Sequence, residues 1–127
     1  LDRTVPLIED RLKLSGLYDR CASVRASGMA VLELEAEPER ALEAIVQQAE
    51  KAVKDDKAEV ICLGCGGMAG LDEKIRQRTG VPVVDGVSAA VKMAEALVQL
   101  RLTTSKNRTY ARPRPKRIVG WPAQFGR

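Results

Sequence analysis

A short apolar segment that runs directly into a glycine-rich turn is the feature that most constrains this chain. Val60 to Leu63 is an unbroken apolar run, and Gly64, Gly66 and Gly67 follow it at once. Such a run is typical of a parallel strand that is covered on both faces. Glycines allow a sharp turn and leave peptide N–H groups free to point at a ligand. Because open α/β sheets bind ligands at the carboxyl ends of their strands, we expect an α/β fold with its functional site at this turn.

Helices and strands are predicted to alternate along the chain, which indicates a parallel sheet with right-handed crossovers. The clearest helix begins at Pro38, has one apolar face and ends near Asp55. We therefore expect a three-layer α/β lobe of the flavodoxin or Rossmann type. The other predicted elements are a helix from Thr4 to Gly16, strands at 21–25, 29–34 and 81–84, a helix at 71–78 closed by Gly80, a helix at 87–102 and a short closing segment at 118–121.

The charge of the chain is unevenly distributed. The net charge of +4 combines residues 101–127, which hold eight Lys or Arg and no acid, with residues 1–100, which hold 13 basic and 17 acidic residues. A basic tail of this kind can bind a polyanion. Because such a run is more often a solvated strap over a domain, no nucleic-acid partner is predicted.

The cysteine and histidine counts limit the chemistry. Three cysteines are too few for a disulfide scaffold and indicate a reducing compartment, so a cytoplasmic location is predicted. No apolar run reaches ~18 residues and no signal-peptide pattern is present, so no membrane partner is expected. The chain has no histidine, which excludes Ser-His and Cys-His pairs and the common zinc sites. Proton transfer must therefore use Cys, Asp, Glu, Lys or Tyr.

Cys65, in the middle of the glycine turn, is the candidate catalytic acid/base. Free N–H groups and a nearby helix N-terminus stabilise a thiolate. The alternative is that Cys65 is a small residue that fills a tight turn. Cys62, inside the apolar run, is predicted to be a buried core thiol. Asp85, at the end of the next strand, is predicted either to contact substrate or to cap the following helix through Ser88.

Other functions fit parts of the same sequence. Gly64-x-Gly66-x-x-Ala69 with Asp85 about twenty residues later matches the relaxed dinucleotide-binding fingerprint. That fingerprint normally opens its domain, whereas two predicted strands and two helices come first here. One C-x-x-C and a distant Cys21 do not supply four zinc ligands, so no metal is predicted. A non-catalytic interaction fragment that uses the basic tail is the remaining alternative.

Two motifs carry a resemblance to a known family. Residues 63–68, L-G-C-G-G-M, and residues 80–87, G-V-P-V-V-D-G-V, resemble the Asp/Glu/hydantoin racemase superfamily, and most of all its hydantoin and allantoin racemase branch. Residues 18–25, the helix from Pro38, and segments 103–106 and 118–122 are also similar to that branch. The resemblance covers essentially the whole chain, but only the carboxyl-terminal half of a family member.

The resemblance implies a racemase that uses two cysteines and no cofactor. One thiolate removes a proton from the stereogenic carbon of a hydantoin-type ring, such as allantoin or a 5-substituted hydantoin, and the other thiol returns a proton on the opposite face. Cys65 matches the cysteine of the second lobe. Gly66 and Gly67 match positions whose N–H groups could hold the substrate carbonyl as it gains enolate character. Gly64 and Asp85 are further predicted substrate-binding residues, and a homo-oligomer is expected.

The resemblance also implies two similar lobes with the active site between them. Residues 1–85 would form the second lobe, and residues 86–127 would cross back and complete the first lobe. The rest of the first lobe, with the other catalytic cysteine, has no counterpart in this chain, and Cys21 does not match it. We therefore expect exposed apolar surface at Val91, Leu97 and Leu100, with self-association or poor solubility as the consequence.

Overall fold

The computed structural model describes residues 1–115 and Gly120. Its internal contacts divide the chain into two units, Leu1–Ala94 and Glu95–Arg127. The predicted closing segment at 118–121 lies, apart from Gly120, outside the described residues. The helices are α1 (Val5–Leu14), α2 (Val31–Ala36), α3 (Pro38–Lys54), α4 (Asp72–Thr79) and α5 (Gly86–Gln99), the strands are β1 (Ile61–Leu63) and β2 (Val83–Asp85), and short 3-10 turns lie at Asp2–Thr4, Tyr18–Arg20, Gly66–Met68 and Arg108–Tyr110.

The two strands form a parallel pair, as the sequence predicts. Ile61 is opposite Val83, and Leu63 is opposite Asp85. The chain between them contains α4, so β1, α4 and β2 form the predicted crossover unit. The mixed α/β fold with parallel strands is therefore confirmed. The carboxyl ends of both strands lie at the same edge of the sheet, because parallel strands run in the same direction.

Helix α3 supplies most of the core of the first unit. It is amphipathic as predicted, since Ala41, Ile45, Val46, Ala49 and Ala52 are buried on one side. All of these except Ala52 belong to a cluster with Met29, Leu34, Leu63 and Ile75, of which Ile75 on α4 is completely buried. The core therefore lies between α3, α4 and one face of the sheet. Helix α4 ends as predicted at Gly80, which has the left-handed φ of 73° that favours glycine.

Two predicted strands are wrong. The segment predicted as a strand at 29–34 forms helix α2 from Val31 onward. A carboxylate oxygen of Glu33 accepts a hydrogen bond from the peptide N–H of Ala30 at 2.6 Å, which satisfies a free donor at the start of the helix. Residues 21–25 pair with no other strand among the described residues. They are held instead by side-chain contacts to Asp56, just after α3.

The other face of the sheet is exposed, contrary to expectation. Residues alternate along β1, so Leu63 is buried against the core while Cys62 is exposed, and its register partner Val84 on β2 is also exposed. The prediction that Cys62 is a buried core thiol is therefore wrong for this chain. A parallel sheet is normally covered on both faces, and here only one is covered by residues that the structure describes.

The second unit begins within α5 and continues into the basic segment. Helix α5 ends with a hydrogen bond of 2.9 Å from the N–H of Leu102 to the carbonyl of Leu97, and Arg101 takes a positive φ of 55°. The side chains of Val98, Leu100 and Tyr110 are exposed. Across the described residues, no helix combines the length and apolar character that crossing a membrane requires.

Candidate active site

Cys65 lies just beyond the carboxyl end of β1, at the start of a single 3-10 turn. Its backbone is extended, with φ −141° and ψ 137°, and its carbonyl accepts a hydrogen bond from the N–H of Met68 at 3.0 Å. The side chain is half-buried and packs against the core cluster. The predicted helix, α4, begins only at Asp72. The thiol is therefore next to a short turn of peptide groups rather than at the first turn of an α-helix.

The peptide N–H groups of Gly66 and Gly67 follow the thiol directly. Neither donates a hydrogen bond to an acceptor in the described part of the chain. Both glycines are exposed. Two unused donors beside a half-buried thiol can bind an oxygen that gains negative charge.

The glycines of the turn serve different purposes. Gly64, Gly66 and Gly67 have no positive φ, so the sharp turn does not need the conformational freedom that the sequence suggested. A Cβ added at Gly64 or Gly66 would meet nothing within 4 Å, whereas one at Gly67 would lie 3.2 Å from Cδ1 of Leu34. Gly67 therefore allows α2 to pack closely on the turn. Gly64 and Gly66 leave open space beside Cys65.

Asp85 is buried, with 6% of its surface exposed, and its carboxylate accepts hydrogen bonds from three directions. Oδ1 accepts from the N–H of Val87 at 2.9 Å, and Oδ2 accepts from the hydroxyl of Ser88 at 2.7 Å. Oδ2 also accepts from the N–H of Gly70 at 3.4 Å. The hydrogen bond from Ser88 and then that from Val87 hold the pKa of Asp85 below its ordinary value.

Of the two roles predicted for Asp85, capping of the next helix is the one whose contacts are visible. Val87 and Ser88 are in the first turn of α5, so the carboxylate satisfies donors at that helix end. Contact between Asp85 and a substrate stays a prediction.

Sequence reasoning missed the partner residues Gly70 and Leu34. Gly70 has the left-handed φ of 78°, and the signal for it was a third glycine shortly after Cys65.

The remaining cysteines lie away from this arrangement. Cys62 is on the exposed face of β1, and Cys21 donates a weak hydrogen bond from Sγ to the carbonyl of Ser23 at 3.3 Å. All three cysteines are free thiols. In the described ranges, no three side chains of His, Cys, Asp or Glu are grouped to hold a metal ion. Two shallow depressions along α3, at residues 37–40 and 47–54, do not include the turn.

The fold and the turn together place a half-buried thiol at the carboxyl end of a strand in a parallel α/β pair. The profile of the Asp/Glu/hydantoin racemase family matches residues 1–94, and the chain therefore belongs to that family. The prediction from the two glycine motifs is confirmed.

Within the family, the chain is similar to curated proteins named hydantoin racemase. The chain is 48% identical over 120 residues to hydantoin racemase from Rhizobium meliloti, covering 94% of this chain and 50% of that protein. It is 42% identical over 127 residues to hydantoin racemase from Pseudomonas sp. strain NS671, covering 100% of this chain and 51% of that protein. The chain thus spans about half the length of the curated relatives it matches.

Two solved structures are also matched over about half of their own length. Allantoin racemase from Pseudomonas fluorescens superposes with a TM-score of 0.81 and 79% sequence identity, over 94% of this chain and 51% of that one. Allantoin racemase from Klebsiella pneumoniae superposes with a TM-score of 0.86 and 41% identity, over 99% of this chain and 50% of that one. The α/β fold described above is thus the fold of one half of these proteins.

Proposed function

We propose that the full-length protein that contains this sequence is a cofactor-independent racemase of a hydantoin-type ring, such as allantoin or a 5-substituted hydantoin. The relatives named hydantoin racemase and allantoin racemase support this substrate class. The single observation that carries the chemistry is the half-buried thiol of Cys65 beside the unused N–H groups of Gly66 and Gly67.

In the proposed mechanism Cys65 exchanges a proton with the stereogenic carbon of the ring. In one direction its thiolate takes the proton and becomes a thiol, and the electron pair of the C–H bond moves toward the adjacent carbonyl. A second thiol, from the other lobe, then gives a proton to the opposite face of the same carbon. In the reverse direction the two sulfur atoms exchange roles. The reaction is balanced because one proton is removed and one is added, with no net oxidation.

The glycines of the turn would hold the substrate during this exchange. The N–H groups of Gly66 and Gly67 would donate to the carbonyl oxygen, where negative charge develops. The open space at Gly64 and Gly66 supports an approach of the ring to the backbone here, since a side chain at either position would fill that space. No contact in the described residues favours the dinucleotide or polyanion alternatives.

The half-length match supports the proposed division into lobes. Residues 1–85 would belong to the second lobe, and residues 86–127 would complete the first. The exposed apolar side chains of α5 fit this division, because no residue of that helix is buried within the chain. We also propose a homo-oligomer in the cytoplasm that acts on a small molecule.

Deuterium exchange in the full-length protein tests the function. The wild-type protein should wash solvent deuterium into the stereogenic carbon while interconverting the enantiomers of allantoin or a 5-substituted hydantoin, above the rate without enzyme. Cys65→Ser should stop the interconversion. Cys62→Ser is the matched control, because Cys62 is on the exposed face of β1, the strand that precedes Cys65, and should be dispensable. Ordinary turnover by Cys65→Ser would reject the assignment of Cys65.

A further inference from the structure

Asp85 contacts the chain on both sides of the turn that carries Cys65. Before the turn, Leu63 is paired with Asp85 in the parallel register of β1 and β2. After the turn, the N–H of Gly70 donates to Oδ2 of Asp85 at 3.4 Å. The residues on either side of segment 64–69, which contains Cys65, are therefore both attached to Asp85.

The two attachments differ in kind. The attachment to Leu63 belongs to the backbone of the sheet and would survive a change of side chain at residue 85. The attachment to Gly70 depends on the carboxylate alone. The same carboxylate is held in place by Val87 and Ser88 of α5, at 2.9 and 2.7 Å, so it is a fixed acceptor rather than a mobile one.

We propose that Asp85 is a positioning residue for Cys65, which fixes the exit of the catalytic turn to the first turn of α5. This inference rests on the proposed function only for its effect on racemisation. The carboxylate would act through Gly70 and not on the substrate. Its role exceeds helix capping, because capping requires only the contacts with Val87 and Ser88.

Besides the packing of Met68 on the core and of Leu34 on Gly67, and the hydrogen bond from Leu71 to Met68, the turn is held at its far side by the carboxylate of Asp85. Gly66, Gly67, Ala69 and Gly70 are all exposed. The internal hydrogen bonds of the turn are those from Met68 to Cys65 and from Ala69 to Gly66. Glycines lose more conformational freedom on folding than other residues, so a turn rich in them opens readily. A buried acceptor at Gly70 limits that opening and keeps the thiol at a constant distance from its target.

Two variants separate the restraint from the helix cap. Asp85→Asn keeps the shape of the side chain but replaces one acceptor oxygen with an NH₂ donor. Asp85→Ser keeps a good N-cap residue but is too short to serve Gly70 as well. Asp56→Asn is the matched control, since it removes a hydrogen-bonded carboxylate at the end of α3, away from the turn.

Amide hydrogen exchange of the full-length protein is the first measurement. In the wild type, the amide of Gly70 should exchange more slowly than those of Gly66 and Gly67, which have no acceptor in the described chain. In both Asp85 variants, exchange across 65–70 should rise by about tenfold or more, as expected for local opening. Asp56→Asn should leave it unchanged. An unprotected Gly70 amide in the wild type overturns the proposal without any variant.

Racemisation kinetics are the second measurement. Misplacement of a reacting group by about 1 Å can cost about 100-fold, so both Asp85 variants should lower kcat by roughly 10- to 100-fold with little change in KM. A fall in kcat with unchanged exchange at 65–70 overturns the proposal, because Asp85 would then act on the substrate. Faster exchange in a protein whose wild type never racemises hydantoins supports the restraint while rejecting the proposed function.

Discussion

The guanidinium of Arg25 and the carboxylate of Asp56 form a two-point ion pair, with Nε to Oδ2 at 2.6 Å and Nη2 to Oδ1 at 2.8 Å. The hydroxyl of Ser23 donates to the same carboxylate. These contacts attach an irregular segment to the residues that follow α3. They explain how residues 21–25 are ordered without pairing as the predicted strand.

Because of this ion pair, we expect the folded chain to lose stability in acid. The hydrogen bonds from Arg25 and then from Ser23 lower the pKa of Asp56 from 3.8 to about 2. Because the folded-state pKa is below the unfolded one, the stabilisation is complete above about pH 4 and is lost as the pH falls toward 2. Asp56→Asn should unfold at a lower temperature than the wild type at pH 6, and the difference should shrink between pH 4 and 2. Thermal melts monitored by circular dichroism measure it, and a constant difference over this range contradicts it.

Ile75 should be the most sensitive core position on α4, since its side chain is 0% exposed. Ile75→Ala removes buried methyl groups and leaves a cavity, so it should cost about 2–5 kcal/mol of unfolding free energy. Leu14→Ala on α1 is the control, because Leu14 is 78% exposed and its loss should stay within about 0.5 kcal/mol. Urea denaturation measures both, and equal losses would contradict the description of the core.

Substitution by alanine should change the stability of the fold at Gly67 but not at Gly66. At Gly67 the new Cβ would press on Leu34, so Gly67→Ala should destabilise the fold by about 1–3 kcal/mol. Gly66→Ala meets open space and should leave stability nearly unchanged. In the full-length protein, Gly66→Ala should nonetheless impair racemisation, because its methyl group would enter the space proposed for the ring. Melting temperatures and turnover of both variants, measured side by side, test this, and full activity of Gly66→Ala counts against the proposed substrate position.

The three cysteines should differ in their access to reagents. Cys62 is exposed on the sheet face, whereas Cys21 and Cys65 are half-buried. In the 127-residue chain, a bulky maleimide should therefore label Cys62 first. Peptide mass spectrometry over a time course identifies the order, and protection of Cys62 would show that the sheet face is covered.

The isolated 127-residue chain should self-associate through α5. Val87, Val91 and Val98 recur at helical spacing and are all exposed, as are Met93 and Leu97. Apolar faces of this kind associate in water. Light scattering after size exclusion should show a mass that rises with concentration, and Val91→Lys with Leu97→Lys should reduce it. A monomer at every concentration rejects this prediction.

The sequence predicted an element correctly where its apolar residues recur with one clear spacing. The apolar face of α3 recurs at helical spacing over several turns, so both ends were predicted closely. The segment around Leu34 failed because Val31 to Leu34 is short and its alternation fits a strand as well as a helix. Its outcome depends on contacts absent from the local sequence, namely Glu33 with the Ala30 amide and Leu34 with Gly67.

The residues proposed for the candidate site come from the sequence, and the structure adds their geometry. Cys65 and its glycines were found because they follow an apolar strand, and the parallel pairing brings Asp85 to the same edge. The contact between Asp85 and Gly70 joins residues 15 positions apart and follows from the register of the sheet, which no local pattern encodes. The exposure of Cys62 could not be foreseen either, because it depends on what covers the second face.

The contact between Asp85 and Gly70 also favours one register of β1 and β2. If β2 slipped by one residue against β1, Val84 would turn inward and the carboxylate would leave the core side. The Gly70 amide would then lose its acceptor. A misaligned chain thus leaves the Gly70 amide without its acceptor, so the side chain of Asp85 favours one pairing of these two short strands.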